Sequence, residues 1–179
     1  MATIAELLAS SLNALKQVQR GEDFTIIKSS DLSRTHIKRL VDNHFLKPII
    51  KGWYVVTDPR ATPGDSTAWY ASFWSFITRY ANERYGNEWC LSAEQSLSIY
   101  TGATIIPNQV LIRAPKGNDY MVPLIPPTSV FNLGAELPSK IDTNNPYNLN
   151  LYTLAEAIIV ATPTMYRNDA LTMRTALAM

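Results

Sequence analysis

The first apolar stripe of the chain predicts an N-terminal helix. Thr3 and Glu6 have the spacing of a capping box, in which the threonine hydroxyl accepts a hydrogen bond from the glutamate amide. Apolar residues then recur at the three- and four-residue spacing that gives a helix one buried side. They are Ile4, Leu7, Leu8, Leu12, Leu15 and Val18. The pattern stops at Gly21, where we expect the helix to end.

Residues 29–44 read SSDLSRTHIKRLVDNH, and their pattern predicts two helices in succession. Residues 30–32 are expected to form a short helix of one or two turns. Ser33 is a favourable N-cap for a second helix that starts at Arg34. The apolar positions of this second helix repeat at i, i+3 and i+4, which predicts one buried side. They are Ile37, Leu40 and Val41.

Residues 45–56, FLKPIIKGWYVV, predict a β-hairpin. Two strands are expected at 45–50 and 53–56, with the turn at Lys51-Gly52, because glycine tolerates a positive φ. Pro48 cannot donate a backbone hydrogen bond, so the first strand should lie at the edge of its sheet. The β-branched run at 24–27 predicts a further short strand before the helices.

The rest of the chain alternates helical and strand-like patterns. Helices are predicted at 67–85, 92–100 and 154–160, and a last one begins at Asn168 or Asp169. Strands are predicted at 110–113, 121–125, 128–133 and 149–152. The last helix reaches Met179 without a glycine cap or a polar tail, so we expect the natural polypeptide to continue. The predicted class is α+β, with an N-terminal winged helix-turn-helix at 1–58 and a mixed α/β domain at 65–179.

Charge is concentrated in one short stretch. Between Lys28 and Lys51 there are six Lys or Arg and two Asp, a balance of +4, whereas the whole chain carries +1. This distribution predicts a local surface that binds a polyanion such as DNA. A second interpretation is an ordinary solvated helix face followed by a structural hairpin, since exposed charged faces are common.

Little in the chain indicates catalysis, a cofactor or a metal. His36 and His44 are eight residues apart and have no partner ligands in sequence, so they lack metal-ligand spacing. Cys90, the single cysteine, has no basic neighbour in sequence and is predicted to be a buried thiol. An N-cap and its first-turn acid account for Ser92 and Glu94. No phosphate-binding glycine loop or nucleophile elbow is present. We therefore expect no enzyme activity and no cofactor within these residues.

The lone cysteine, the lack of a signal peptide and the lack of a long apolar run predict a cytoplasmic protein that does not span a membrane. In the DNA-binding interpretation, the second helix presents donors to base edges and the hairpin is a wing that reaches phosphate. The predicted contacts are Arg34, Thr35, His36, Lys38, Arg39, Lys47 and Lys51.

Two segments carry a family resemblance. LSRTHIKRLVDNHFLKPIIKGWYVVTDP and, after a helix, CLSAEQSLSIYTGATIIPNQVLIRAPKG resemble the antitoxin of the AbiE abortive-infection (type IV toxin–antitoxin) system. In that family a winged helix precedes a domain that opens with a serine- and alanine-rich helix and a strand ending near a proline. The resemblance implies a bacterial DNA-binding autoregulator that acts on its own operator, with Arg34, Thr35, Lys38 and Arg39 as contacts and a toxin as partner.

The C-terminal segment LYTLAEAIIVATPTMYRNDALTMRTALAM resembles the region before the catalytic domain of long bacterial Fic (cell-filamentation) proteins. The His-Pro-Phe and Gly-Asn-Gly-Arg motifs of that family are absent from these residues, so the resemblance implies a non-catalytic regulatory half fused to a catalytic domain.

Three hypotheses therefore stand: a DNA-binding antitoxin-type regulator, the regulatory half of a Fic-type nucleotidyl transferase, and a protein-interaction module. If the operator is a palindrome, a homodimer is expected.

Overall fold

Helix α1 (Ile4–Val18) begins as its sequence predicts. In the computed structural model, which describes residues 3–19, 25–62 and 64–179, the Glu6 amide donates to Thr3 Oγ1 at 3.2 Å. The Glu6 carboxylate accepts from the Thr3 amide at 2.7 Å. The predicted capping box is confirmed. Gly21, the predicted end of this helix, lies outside the described residues, as does Phe24 of the first predicted strand.

Helices and strands are both well represented, which confirms the α+β class. The other helices of the described residues are α2 (Arg34–Asp42), α3 (Thr67–Tyr85), α4 (Ala93–Tyr100), α5 (Leu154–Val160), α6 (Pro163–Asn168) and α7 (Ala170–Leu177). The strands are β1 (Ile26–Lys28), β2 (Leu46–Ile50), β3 (Trp53–Val56), β4 (Cys90–Leu91), β5 (Gln109–Ala114), β6 (Tyr120–Pro123), β7 (Ser129–Gly134), β8 (Ile141–Asp142) and β9 (Leu151–Tyr152).

The chain divides into two compact units, Met1–Phe73 and Trp74–Met179. The first unit contains an antiparallel sheet in the order β1-β3-β2. Strand β2 is an edge strand, as Pro48 predicts, and the turn glycine of the hairpin, Gly52, has φ +82°. The core of this unit joins α1 and α2 to the sheet through apolar side chains. Its buried members are Leu15, Ile27, Leu32, Ile37, Leu40 and Leu46.

The prediction of a short helix at 30–32 is wrong, because residues 29–32 form a turn. The Asp31 amide donates to the Lys28 carbonyl oxygen at 3.0 Å, and the Asp31 carboxylate accepts from the Lys28 amide at 2.8 Å. An aspartate side chain that bonds nearby backbone in this way competes with helical hydrogen bonding. A helix therefore begins only at Arg34, where the Ser33 hydroxyl caps it by accepting from the His36 amide at 3.3 Å.

The second unit contains a mixed sheet in the order β4-β5-β7-β6. Strands β5 and β7 are parallel although β6 lies between them in sequence, and β4 and β6 are antiparallel to their neighbours. Val110, Ile112 and Val130 are buried on one side of this sheet. On the same side, Asn132 accepts from the Tyr85 hydroxyl at 2.9 Å and donates to the Tyr80 hydroxyl oxygen at 3.1 Å. These two bonds connect α3 to β7.

A second cluster in this unit packs the remaining helices around α4. Its buried members are Cys90, Ala93, Leu97, Tyr152, Ala157, Ala161, Met173 and Ala176. Helix α4 has the predicted Ser92 cap and α7 has the predicted Asp169 cap. Elements β4, α6 and β8 were not predicted, since they have two, six and two residues and show little periodicity. Among the described residues, no helix is long and apolar enough to cross a bilayer.

Candidate nucleic-acid interface

Helix α2 has a buried side and an exposed basic side. Ile37 and Leu40 are 7% and 0% exposed and pack in the core of the first unit. Arg34, Thr35 and Lys38 are exposed. This separation follows from the helical repeat, which places residues 37 and 40 on one side and residues 34, 35 and 38 on another. The helix is thus anchored by its apolar side while three donors face solvent.

Two of the predicted contact residues are half-buried and bond to α1. Arg39 Nη1 donates to the Leu7 carbonyl oxygen at 3.3 Å and to Ser11 Oγ at 3.2 Å. His36 Nδ1 lies 2.9 Å from the same Ser11 Oγ. The Ser11 hydroxyl donates to the Leu7 carbonyl oxygen at 3.0 Å and accepts from Arg39, while it also lies within hydrogen-bonding distance of His36 Nδ1. Arg39 and His36 therefore hold α2 against α1.

Lys38 is exposed but forms a helical ion pair. Its ammonium lies 2.8 Å from an Asp42 carboxylate oxygen, four residues along α2. Exposed pairs of this kind contribute only ~0.3–0.5 kcal/mol, so the ammonium can exchange Asp42 for another anion at little cost. Arg34 has no acid in its own turn of the helix.

The end of α2 sets the direction of the hairpin. His44 has φ +62°, its amide donates to the Val41 carbonyl oxygen at 3.0 Å, and the Phe45 amide donates to the Leu40 carbonyl oxygen at 2.9 Å. This pair of bonds is a Schellman motif, in which the left-handed position is usually a glycine. The chain thereby turns directly from α2 into β2.

The tip of the hairpin lies beside the turn that leads into α2. The Ser29 amide donates to the Gly52 carbonyl oxygen at 2.8 Å, and Lys28 pairs with Trp53 in the register of β1 and β3. The Lys28 ammonium lies 5.3 Å from the centre of the Trp53 ring. Lys51 is exposed at this tip. Lys51 and Lys28 are thus at the end of the sheet nearest the start of α2.

Lys47, the predicted contact on the edge strand, is less accessible than the exposed lysines of α2 and the hairpin tip. It is half-buried on the edge strand β2, opposite Val55. The pKa of Asp65 is lowered, first by hydrogen bonds from Thr67 and to a smaller extent by the charge of Lys47. Asp65 therefore lies close enough to Lys47 for the two charges to attract each other.

The structure separates the seven predicted residues into groups. Arg34, Thr35 and Lys38 share the exposed side of α2, and Lys51 is at the hairpin tip. His36 and Arg39 contact α1, and Lys47 is near Asp65. Sequence reasoning missed Ser11, a fully buried serine inside the apolar stripe of α1. A lone hydroxyl in such a stripe signals a polar contact from a neighbouring element.

The cysteine and the possible metal-ligating side chains are arranged as follows in the described residues. In residues 3–19, 25–62 and 64–179, no group of three His, Cys, Asp or Glu side chains could hold a metal ion. Cys90 is buried, and burial raises the pKa of its thiol to about 12. At neutral pH the thiolate, which is the nucleophilic form, is therefore scarce.

No protein-family model matches this chain, and no curated protein matches it either.

Proposed function

We propose that the first unit is a winged-helix DNA-binding module, and that the protein is a bacterial transcriptional autoregulator of the antitoxin type. One observation carries this proposal. Helix α2 is fixed to α1 by Ile37, Leu40 and Arg39, and it exposes Arg34, Thr35 and Lys38 beside a hairpin that carries Lys51.

A helix that reads the major groove needs one side anchored in its own domain and another side with hydrogen-bond donors. The nine residues of α2 span about 13 Å, enough for its exposed side to lie along the groove. In this proposal Arg34 and Thr35, in the first turn of α2, face base edges. Lys38 and Lys51 contact phosphate, where each neutralised charge releases a counterion.

The helix that normally precedes the recognition helix is reduced here to the 29–32 turn. The Ser29–Gly52 hydrogen bond supports the recognition helix in another way, because it holds the hairpin tip close to the start of α2. His36 and Arg39 position the helix in this proposal, and Lys47 contributes weakly because it is half-buried.

The test is fluorescence anisotropy with duplex DNA from upstream of the gene and with a scrambled duplex, at several salt concentrations. Wild type is expected to prefer the upstream duplex with a steep salt dependence. Arg34→Ala should weaken binding and reduce the preference, by about 1–3 kcal/mol if it contacts a base. Lys38→Ala should weaken binding to both duplexes and lower the salt slope by about 1.

Lys140→Ala is the matched control, since Lys140 is exposed in the second unit. It should leave affinity and salt slope unchanged. Weak and equal binding of wild type to both duplexes, unaffected by Arg34→Ala or Lys38→Ala, would reject the proposal and leave α2 as a solvated basic face.

A second candidate function is the regulatory half of a Fic-type transferase, or more generally a protein-interaction module. The C-terminal helices favour it, because large apolar side chains on α5 and α7 are exposed. Ile159 is 81% exposed, Leu171 78% and Leu177 62%. A reading frame that continues past Met179 into a His-Pro-Phe motif would select the Fic alternative. Binding to a protein without any DNA affinity would select the interaction module.

A further inference from the structure

A cavity of about 370 Å³ lies in the second unit, where the start of α4 meets strands β5 and β9. Its volume is at the lower end of the range of about 300–1,000 Å³ that small-molecule sites occupy. Apolar walls are formed by Leu111, Leu133 and Val160. Polar groups from Glu94, Arg113 and Tyr152 also line it.

Tyr152 carries an unpartnered hydroxyl at this cavity. The residue is only 6% exposed. Its backbone is fully engaged, because its amide donates to Ser96 Oγ at 3.2 Å and its carbonyl oxygen accepts from the Tyr100 hydroxyl at 2.8 Å. The Tyr152 hydroxyl has no hydrogen-bond partner among the described residues. Burial raises its pKa, so the phenol keeps its proton and can donate.

Arg113 is the second group with unused donors. Its Nη2 donates to the Glu136 carbonyl oxygen at 3.3 Å, but its buried Nε has no partner in the described part of the chain. Its guanidinium carbon lies 6.0 Å from the centre of the Tyr152 ring. A buried donor without a partner costs free energy, so a small rotation of the Arg113 side chain that brings Nε to an acceptor is favourable. Two neighbouring donors that both need an acceptor indicate a carboxylate or a similar oxygen anion.

The acids near the cavity select among such anions. Glu94 lines the cavity and accepts from the Thr162 amide at 3.2 Å through one oxygen. Glu156 is bonded to the amide and hydroxyl of Ser139, at 3.2 and 3.4 Å. Neither carboxylate forms an ion pair with Arg113 in the described residues. Their charges oppose a dianion such as phosphate, whereas Glu94 favours a ligand that also carries a cationic amine.

We propose that this cavity binds a small zwitterion with an aliphatic side chain, an amino acid of about the size of valine. Its carboxylate accepts from Arg113 and Tyr152, its ammonium faces Glu94, and its side chain contacts Leu111, Leu133 and Val160. This site lies wholly within the second unit and does not depend on DNA binding by the first.

Calorimetric titration of the full chain tests this with L-alanine, L-valine and L-leucine, each at up to ~10 mM, which detects a Kd of about 1 mM or tighter. Isovalerate, which is valine without its amine, should bind about tenfold more weakly than L-valine. Isobutylamine, which is valine without its carboxylate, and inorganic phosphate should show no binding.

Tyr152→Phe keeps the ring and removes only the hydroxyl, so it should weaken L-valine binding about tenfold. Arg113→Gln should abolish binding, and Tyr166→Phe, in which the lost hydroxyl bonds the Ile158 carbonyl oxygen on α5, should leave it unchanged. If Arg113→Gln does not fold, Tyr152→Phe and the ligand series decide. Failure of all three amino acids to bind wild type would overturn the proposal. Equal binding to Tyr152→Phe, or phosphate binding as tightly as L-valine, would also overturn it.

Discussion

Arg39 reaches across to α1 and donates from Nη1 to the Leu7 carbonyl oxygen at 3.3 Å, so its guanidinium contributes to the contact between α1 and α2. Its neighbour Lys38 is exposed and, in the part of the chain that the structure describes, pairs only with Asp42 on its own helix. Two adjacent basic residues therefore have different roles.

The first prediction separates those roles by stability. Arg39→Ala removes the bonds to Leu7 and Ser11 and should lower the free energy of unfolding by about 1–2 kcal/mol. Lys38→Ala should change it by less than about 0.5 kcal/mol, because exposed helical pairs contribute little. Urea denaturation of both variants and wild type measures the difference. Equal stability of the two variants would show that the Arg39 contact with α1 contributes nothing.

The second prediction concerns the left-handed residue that ends α2. His44 has φ +62°, a conformation that costs an L-residue about 1–2 kcal/mol and glycine almost nothing. Replacing His44 by glycine would remove this strain, but part of the stabilisation is offset because glycine makes the unfolded chain more flexible. His44→Gly should therefore stabilise the protein by about 0.5–1 kcal/mol, with a rise in the midpoint of thermal or urea unfolding. His44→Ala is the control and should give no such gain; a loss of stability in His44→Gly would contradict the role assigned to φ.

The third prediction concerns a close approach of two glycines in the second unit. A β carbon on Gly117 would lie 2.2 Å from the Leu133 carbonyl oxygen and 2.5 Å from the Gly134 amide nitrogen. Backbone atoms of β7 cannot move aside easily, so Gly117→Ala should destabilise the protein by about 3 kcal/mol.

Gly102→Ala is the comparison for this substitution. Gly102 has φ +75° but open space around its β position, so only conformational strain of about 1 kcal/mol is expected. Chemical denaturation should rank wild type above Gly102→Ala and Gly102→Ala above Gly117→Ala. The reverse order of the two variants would show that the end of β7 relaxes around the added methyl group.

The fourth prediction concerns alkaline pH. Burial raises the pKa of the Cys90 thiol from 9.0 to about 12, so the folded protein keeps this proton to higher pH than the unfolded chain does. The resulting contribution to stability is complete below pH 9 and is lost as the pH rises from 9 towards 12. Wild type should lose up to about 1.4 kcal/mol per pH unit in this window from Cys90 alone.

Comparison with Cys90→Ala isolates that contribution. Tyr100 and Tyr152 also have raised pKa values, mainly through burial, so both proteins lose some stability in alkali. The variant should be less stable at neutral pH because a buried side chain is shortened, yet its stability should fall less steeply above pH 9. Parallel curves for the two proteins would mean that the thiol ionises equally in the folded and unfolded states.

Local signals in the sequence determined most of the helices and the hairpin. Thr3, Ser33 and Ser92 cap the helices they were expected to cap, and Gly52 makes the predicted turn. These features are predictable because the groups involved are at most a few residues apart in the chain, so the residue types themselves specify the hydrogen bond. Pro48 similarly predicts an edge strand, because it lacks a donor wherever the sheet forms.

The charge pattern located the basic element but could not orient its side chains. Arg34 and Lys38 face solvent, whereas Arg39 turns towards Ser11, 28 residues earlier in the chain. The helical repeat separates a buried from an exposed side, but an arginine at the border of these sides can point either way. The partner on α1 decides its direction.

Tertiary structure alone decided the features that join distant residues. The parallel pairing of β5 with β7 and the meeting of Arg113 with Tyr152 depend on packing between segments that do not interact locally. Prediction from the sequence also fails over a short distance at the 29–32 turn. There the Asp31 carboxylate accepts a hydrogen bond from the Lys28 amide, and the predicted helix does not form. Sequence thus determined most of the helices, their caps and the hairpin through nearby hydrogen bonds. The folded structure determined which side chains meet, because burial and pairing across the chain set those contacts.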